Sequence, residues 1–134
     1  MKAILLSCVF CMLSSSTPKT YDLEVKIEGL KNQKGNVYIG VYDTKKDFEG
    51  MGKRVDGKII KATDSRVYQV FKLPAKTYAI AVFHDENGNG KLDKNLLGVP
   101  KEGYGFSNEG NKPGFDNASF QLNSDKSFVI RLKY

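Results

Sequence analysis

Along most of this chain apolar and polar residues alternate with a period of two. In Tyr21–Leu30, Leu23, Val25 and Ile27 share one face while Glu24, Lys26 and Glu28 share the other. Successive side chains of a strand point to opposite faces, so this pattern specifies a strand with one face buried. Asn36–Tyr42 repeats it, with Val37, Ile39 and Val41 facing inward. The Asn32–Asn36 connection contains Gly35 and has the length of a hairpin, which predicts that the two strands pair. Further strands are expected at Lys58–Ala62, Val67–Lys72, Thr77–His84, Ala118–Leu122 and Ser127–Lys133. In the last, Phe128, Ile130 and Leu132 face inward, and Val129, Arg131 and Lys133 outward. Thr77–His84 is apolar on both faces, which places it centrally, with its small alanines under close packing. Leu73-Pro74-Ala75-Lys76 is the turn that feeds it, since Pro74 lacks an N–H and fixes the bend.

No window of helical length carries an apolar stripe, and Asp43–Gly52 has room for one helical turn. Seven short strands separated by turn residues predict an all-β fold, a seven-stranded antiparallel β-sandwich with one long irregular loop. That loop is Asp85–Asn117, broken by seven glycines and by Pro100 and Pro113. Loops of this length in small domains are usually functional or pinned by something specific.

A length of 134 residues fits a single domain, and 40% apolar with 27% charged residues is an ordinary globular balance. The formal charge of +6 is scattered, with no run of five like charges, so a solvated surface is expected rather than a nucleic-acid groove. No stretch reaches the ~20 apolar residues of a membrane span. Residues 1–16 have the grammar of an export signal: Lys2, an apolar run from Ala3 to Leu13, then Ser14-Ser15-Ser16 for cleavage. The domain proper is then 17–134, exported to the periplasm or secreted. Leu5-Leu6-Ser7-Cys8 resembles a lipobox but leaves almost no apolar segment ahead of Cys8. Phe10 is too large to precede a lipidated Cys11, so lipid anchoring ranks below simple export. Both cysteines fall in the removed segment, and the exported domain must be stable without disulfides.

The chemistry concentrates directly after the central strand. Asp85-Glu86-Asn87-Gly88-Asn89-Gly90-Lys91-Leu92-Asp93 has the spacing D-x-N-x-N-G-x-L-D. Oxygen-bearing side chains at alternate positions can converge on one hard cation, with glycine at the sixth position allowing a sharp reversal. The expected ligands are the side chains of Asp85, Asn87 and Asn89, the backbone carbonyl of Lys91, and Asp93 directly or through water. Oxygen-only ligation suits Ca2+ better than a transition metal. Leu96 stands where an EF-hand has its bidentate Glu, leaving two carboxylates unless Glu102 or Asp116 folds back. Binding is therefore expected to be weak, with a Kd near ~10⁻⁴ to 10⁻³ M. The rival reading is a plain tight turn, since Asn-Gly-Asn-Gly needs no ion to reverse the chain. The bracketing Asp85 and Asp93 favour the ion.

The run Leu73–Asn108 carries a more specific signature. Its segment Ala81-Val82-Phe83-His84-Asp85-Glu86-Asn87-Gly88-Asn89-Gly90-Lys91-Leu92-Asp93, followed by Leu97-Gly98-Val99-Pro100-Lys101-Glu102-Gly103-Tyr104-Gly105-Phe106-Ser107-Asn108, closely resembles an uncharacterised family of exported bacterial proteins, domain of unknown function 2141. The motif covers about a quarter of the chain, and a weaker likeness in strand pattern runs from Tyr21 to the C-terminus. The resemblance implies a transthyretin-like or immunoglobulin-like sandwich in a bacterial envelope or secreted protein, and it implies no reaction. The loop is also similar to calcium loops of some surface-adhesin repeats.

His84, the single imidazole, precedes Asp85. General-base catalysis would need an aligned nucleophile, and nothing in the spacing singles out Ser107 or Ser119. A hydrogen-bonding brace is the favoured role. The transthyretin-like hydrolase of urate breakdown uses several histidines and a Tyr-Arg-Gly-Ser tail, whereas this chain ends Arg131-Leu132-Lys133-Tyr134. Tyr104, Phe106 and Phe115, set among glycines, form either an aromatic platform for a sugar ring or peptide, or the loop's own small core, the second being favoured. The expectation is a non-enzymatic exported sandwich whose weak calcium loop orders an interaction surface. The alternative is a module binding an envelope glycan, protein or peptide through those aromatics, and a hydrolase built on His84 ranks below both.

Overall fold

Half-buried strands need a second layer to cover their apolar faces, and here the layer is another sheet. A computed structural model of the chain describes residues 13–108 and 113–134. Among them are eight strands: β1 (Thr20–Glu28), β2 (Asn36–Tyr42), β3 (Asp56–Lys61), β4 (Val67–Pro74), β5 (Lys76–Asp85), β6 (Tyr104–Phe106), β7 (Phe120–Leu122) and β8 (Lys126–Arg131). Two short helices, α1 (Lys45–Gly50) and α2 (Phe115–Ala118), complete the set. One sheet has the order β4-β1-β8; the other runs β3-β2-β5-β6, with β7 also paired to β5. Between the sheets lie Leu23, Val25 and Ile27 of β1, Val37, Ile39 and Val41 of β2, Ile80 and Val82 of β5, and Ile130 of β8, all essentially inaccessible. The inward faces read from the alternation are therefore the faces that meet.

Two expectations about pairing do not hold. β1 and β2 form no hairpin: they belong to opposite sheets, and Asn32–Asn36 crosses between the layers. Alternation demands only that each strand bury one face, and two strands facing each other across a core satisfy it as well as two neighbours do. The sandwich is also not wholly antiparallel, because β1 runs antiparallel to β4 but parallel to β8, with Leu23 opposite Lys126 and Glu28 opposite Arg131. The segment that carries most of the expected export signal, including Cys8 and Cys11, lies outside the described residues. Leu13–Lys19 are exposed and without regular structure. No helix among the described residues is long and apolar enough to cross a membrane.

β5 is central, as its two apolar faces require. Tyr78, Ile80 and Val82 face the main core, while Ala79 and Ala81 face the other side. There a second apolar cluster covers the sheet, built from Tyr42, Phe48, Ala79 and Ala118 with Ala81, Phe106 and Phe115 packed against them. Phe48 arrives on α1, which Thr44 caps by accepting the Asp47 N–H at 3.2 Å, and which ends at Met51 in the left-handed region. One edge of β5 is shared: β7 pairs with Lys76–Tyr78 and β6 with Ala81–Phe83. Ser107 fills the gap, donating its backbone N–H to the Ile80 carbonyl at 3.0 Å and accepting the Ile80 N–H on Oγ at 2.9 Å. The strand expected from Ala118 begins at Phe120, because Ala118 closes α2. β6 went unforeseen, since Tyr-Gly-Phe is too short to show alternation.

Alanine is required where helices press on β5. Ala79→Leu should cost about 1–3 kcal/mol by overpacking. Ile59→Ala, at a position 53% exposed on edge strand β3, should stay within about 0.5 kcal/mol of the parent. Urea unfolding measures both, and equal effects would contradict a close-packed outer face.

Candidate functional site

The turn that follows β5 is built around a carboxylate inside the protein. Asp85 is fully buried, with Oδ1 accepting the Asn89 N–H at 3.2 Å and Oδ2 the Gly90 N–H at 2.8 Å. Gly88 and Gly90 both adopt positive φ, +73° and +75°, which lets the backbone curl around that carboxylate. Asn87 Oδ1 accepts the Asn89 N–H at 3.1 Å, and Asn89 Oδ1 accepts the Lys91 N–H at 2.9 Å. These are local side-chain-to-backbone turns of the kind Asn favours. Each carboxamide then donates to Asp93: Asn87 Nδ2 to Oδ2 at 2.6 Å, and Asn89 Nδ2 to Oδ1 at 2.8 Å and Oδ2 at 3.0 Å. Those donors, Asn89 first and Asn87 second, hold the Asp93 carboxyl below the usual carboxylate range. Asp85, Asn87, Asn89 and Asp93 thus share one network, which Lys91 joins through its backbone N–H.

Glu102 returns to this turn and Asp116 does not. Glu102 is 5% exposed, and its Oε1 and Oε2 accept the backbone N–H groups of Glu86 and Asp93, each at 3.2 Å. Burial pushes its carboxyl above the usual range. Asp116 pairs instead with Lys45 Nζ at 2.8 Å, across the two helices. Gly35, with φ +67°, lies against the Asp85 carbonyl, and a Cβ there would overlap it. Among the described residues, no three His, Cys, Asp or Glu side chains are gathered to hold a metal.

Beyond Asp93 the chain runs out and back as a short arm. Lys94 bridges to Pro100, and the Lys101 N–H donates to the Asp93 carbonyl at 2.7 Å. Asn95 organises the far end, its Oδ1 accepting the N–H groups of Leu97 at 2.9 Å and Val99 at 3.0 Å. One side of the arm, with Leu92, Lys94 and Pro100, walls a groove of about 600 Å³ on the outer face of the larger sheet. α1 supplies the opposite wall through Phe48, Glu49 and Met51, and Ala81 and Phe83 form the floor. That volume is in the range of small-ligand sites.

Of the expected ligand-binding aromatics, Tyr104 and Phe106 line this groove, half-buried, with centroids 6.0 Å apart. Phe115 packs against Phe48 at 5.9 Å, in the apolar cover of the sheet. The walls on α1 and on the arm were not read from the sequence. Their signal was present in Tyr38 and Tyr42, which fall on the face of β2 opposite its core valines. Aromatics on a supposedly wet face mark a surface that something covers.

His84 is fully buried on the core side of β5. Its Nε2 lies 2.6 Å from the Lys34 carbonyl, which can only accept, so in the neutral ring Nε2 carries the proton. Nδ1 then accepts from the Tyr134 hydroxyl at 3.2 Å, and that hydroxyl accepts the Lys31 N–H at 2.7 Å. The imidazole ties the chain terminus to the crossover between the sheets. Ser107 Oγ is committed to Ala118, donating to its carbonyl at 2.6 Å.

A family model described as an uncharacterized protein conserved in bacteria (DUF2141) matches residues 25–130. No curated protein and no solved structure matches the chain.

Because hydrogen bonds to Asp93 favour its charged form, its contribution to stability is complete above the ordinary carboxylate range and is lost as pH falls through its lowered value. Asn89→Ala should move the Asp93 titration upward, so that the acid loss is smaller and is complete at a higher pH. Carboxyl NMR titration reads the change, and an unmoved Asp93 would show that the amides do not set its charge.

Proposed function

The chain belongs to the DUF2141 family of uncharacterized bacterial proteins, and from its geometry we propose that it is a non-enzymatic binding module acting outside the cytoplasm, in the periplasm or beyond the cell. The observation that carries this reading is the groove lined by Tyr104 and Phe106, one wall of which is an arm growing out of the Asp85–Asp93 turn. Its occupant is an envelope glycan or a short peptide segment. Both present an apolar face that stacks on aromatic rings, and Glu49 and Lys94 supply an acceptor and a donor among the lining residues. The finer assignment of the two-sheet fold as transthyretin-like or immunoglobulin-like belongs to the same proposal, as does an export signal over residues 1–16. A non-enzymatic role is favoured by His84, whose two ring nitrogens are both engaged by structural partners.

Calcium enters as a weak stabiliser of the turn. Turning over the carboxamides of Asn87 and Asn89 would aim their oxygens at Asp93, an arrangement that only a cation makes favourable. The ion competes with a turn already satisfied by its own hydrogen bonds, which is a physical reason for weak affinity. At ~2 mM calcium, a Kd of ~0.1–1 mM adds roughly 0.7–1.8 kcal/mol.

Calcium should therefore raise the melting temperature by a few degrees over chelator, and Asp85→Ala should abolish the shift. Identical melts would mean that the turn needs no ion. For the groove, a muropeptide carrying both sugar and peptide should shift the resonances of Ala81, Tyr104 and Phe106. Met51→Arg, at a position 58% exposed, should block the shifts without unfolding the domain. Shifts elsewhere, or none, would remove the groove as the binding site.

A further inference from the structure

The far end of the arm carries the most exposed aliphatic side chains of the folded domain. Leu96 is 106% exposed, Leu97 88% and Val99 53%, three large apolar residues within four consecutive positions. Exposed apolar groups gathered in this way mark an interaction surface, whereas single ones need no explanation. The groove does not use them: its wall is made by Leu92, Lys94, Gly98 and Pro100.

Three further features say what the tip meets. First, it is preformed. The N–H groups of Leu97 and Val99 are taken by Asn95 Oδ1, that of Gly98 by the Asn95 carbonyl at 3.0 Å, and the Lys94–Pro100 bridge closes the base. Such a tip can enter an apolar medium without stranding those donors and with little further ordering. Second, the fully exposed charges around it are positive. Lys91, Lys94 and Lys101 are exposed at the root of the arm. Of the carboxylates there, Asp85 and Glu102 are buried under backbone donors, Asp93 is half-buried and held by the carboxamides of Asn87 and Asn89, and Glu86 is half-buried. Third, the combination of protruding aliphatics and a lysine collar matches the layering of an anionic lipid surface, headgroups outside and acyl chains beneath.

We infer that the Leu96–Val99 tip docks the protein on an anionic phospholipid surface, the aliphatic side chains entering the interface and Lys91, Lys94 and Lys101 meeting the headgroups. Docking is independent of what fills the groove. It places the groove beside the membrane, because the same arm forms both.

The chain contains no tryptophan, so Leu97→Trp gives the protein a single tryptophan, placed at the tip and excited selectively over the seven tyrosines. Its emission should shift to the blue with vesicles of pure phosphatidylglycerol, shift little with pure phosphatidylcholine, and return on adding salt. Within that background Leu96→Asp should raise the lipid needed for half the shift by about tenfold or more, and the pair Lys91→Glu and Lys101→Glu by a similar factor. These side chains are exposed, so melting curves should stay unchanged. The apolar N-terminal stretch is common to all variants, and the tip probe reads the arm alone. Emission that ignores phosphatidylglycerol vesicles would overturn the inference and assign the tip to an apolar pocket on another protein. An equal shift in the Leu96→Asp background, or one equal on both lipids and indifferent to salt, would overturn it as well.

Discussion

A carboxylate held inside the protein by backbone N–H groups governs everything that projects from the end of β5. Asp85 is fully buried, and burying such a group costs several kcal/mol unless its oxygens find donors. The donors here are the amides of Asn89 and Gly90, residues that reach it only if the chain reverses at once. The two positive-φ glycines and the two asparagine turns are the means of that reversal. Burial at one end of a strand thus dictates the course of the next several residues.

From that constraint the functional surfaces follow. The reversal brings Asp93 under the two carboxamides, and Glu102 then spans the turn by accepting from Glu86 and Asp93. With both ends fixed, the intervening residues leave as an arm of defined shape. One side of it walls an aromatic groove, and its end lifts aliphatic side chains into solvent. The sandwich contributes rigidity and the loop contributes the site, a division common where binding residues sit on connections held by a stable scaffold. Small residues on β5 matter for the same reason: Ala79 and Ala81 leave space in which α1 and the aromatics settle over the sheet.

How much of this could be read in advance depends on the range of the interaction. The inward faces of β1, β2 and β8 were legible because alternation is local and the core enforces it. The turn was legible in its members, since Asp85, Asn87, Asn89 and Asp93 act on one another within nine consecutive residues. Which strands neighbour each other was not. The expected β1–β2 hairpin is a crossover between sheets, and Gly35 serves there less as a turn residue than as a place where the Asp85 carbonyl comes close. The parallel partnership of β1 and β8 joins residues about a hundred positions apart, and no local pattern encodes direction. The groove was missed because its walls come from α1, β6 and the arm, three pieces too short to announce themselves. Phe115 looked equivalent to Tyr104 and Phe106 in spacing, but α2 directs it against Phe48.

Amide hydrogen exchange in the parent and in Asp85→Asn tests the central claim most directly, since asparagine keeps the shape but offers one accepting oxygen in place of two. The amides of Asn89, Gly90, Val99 and Lys101 should exchange slowly in the parent and quickly in the variant, while those of β1 and β4 keep their protection. Unchanged protection along the arm in Asp85→Asn would mean that the arm is held by something other than the buried carboxylate.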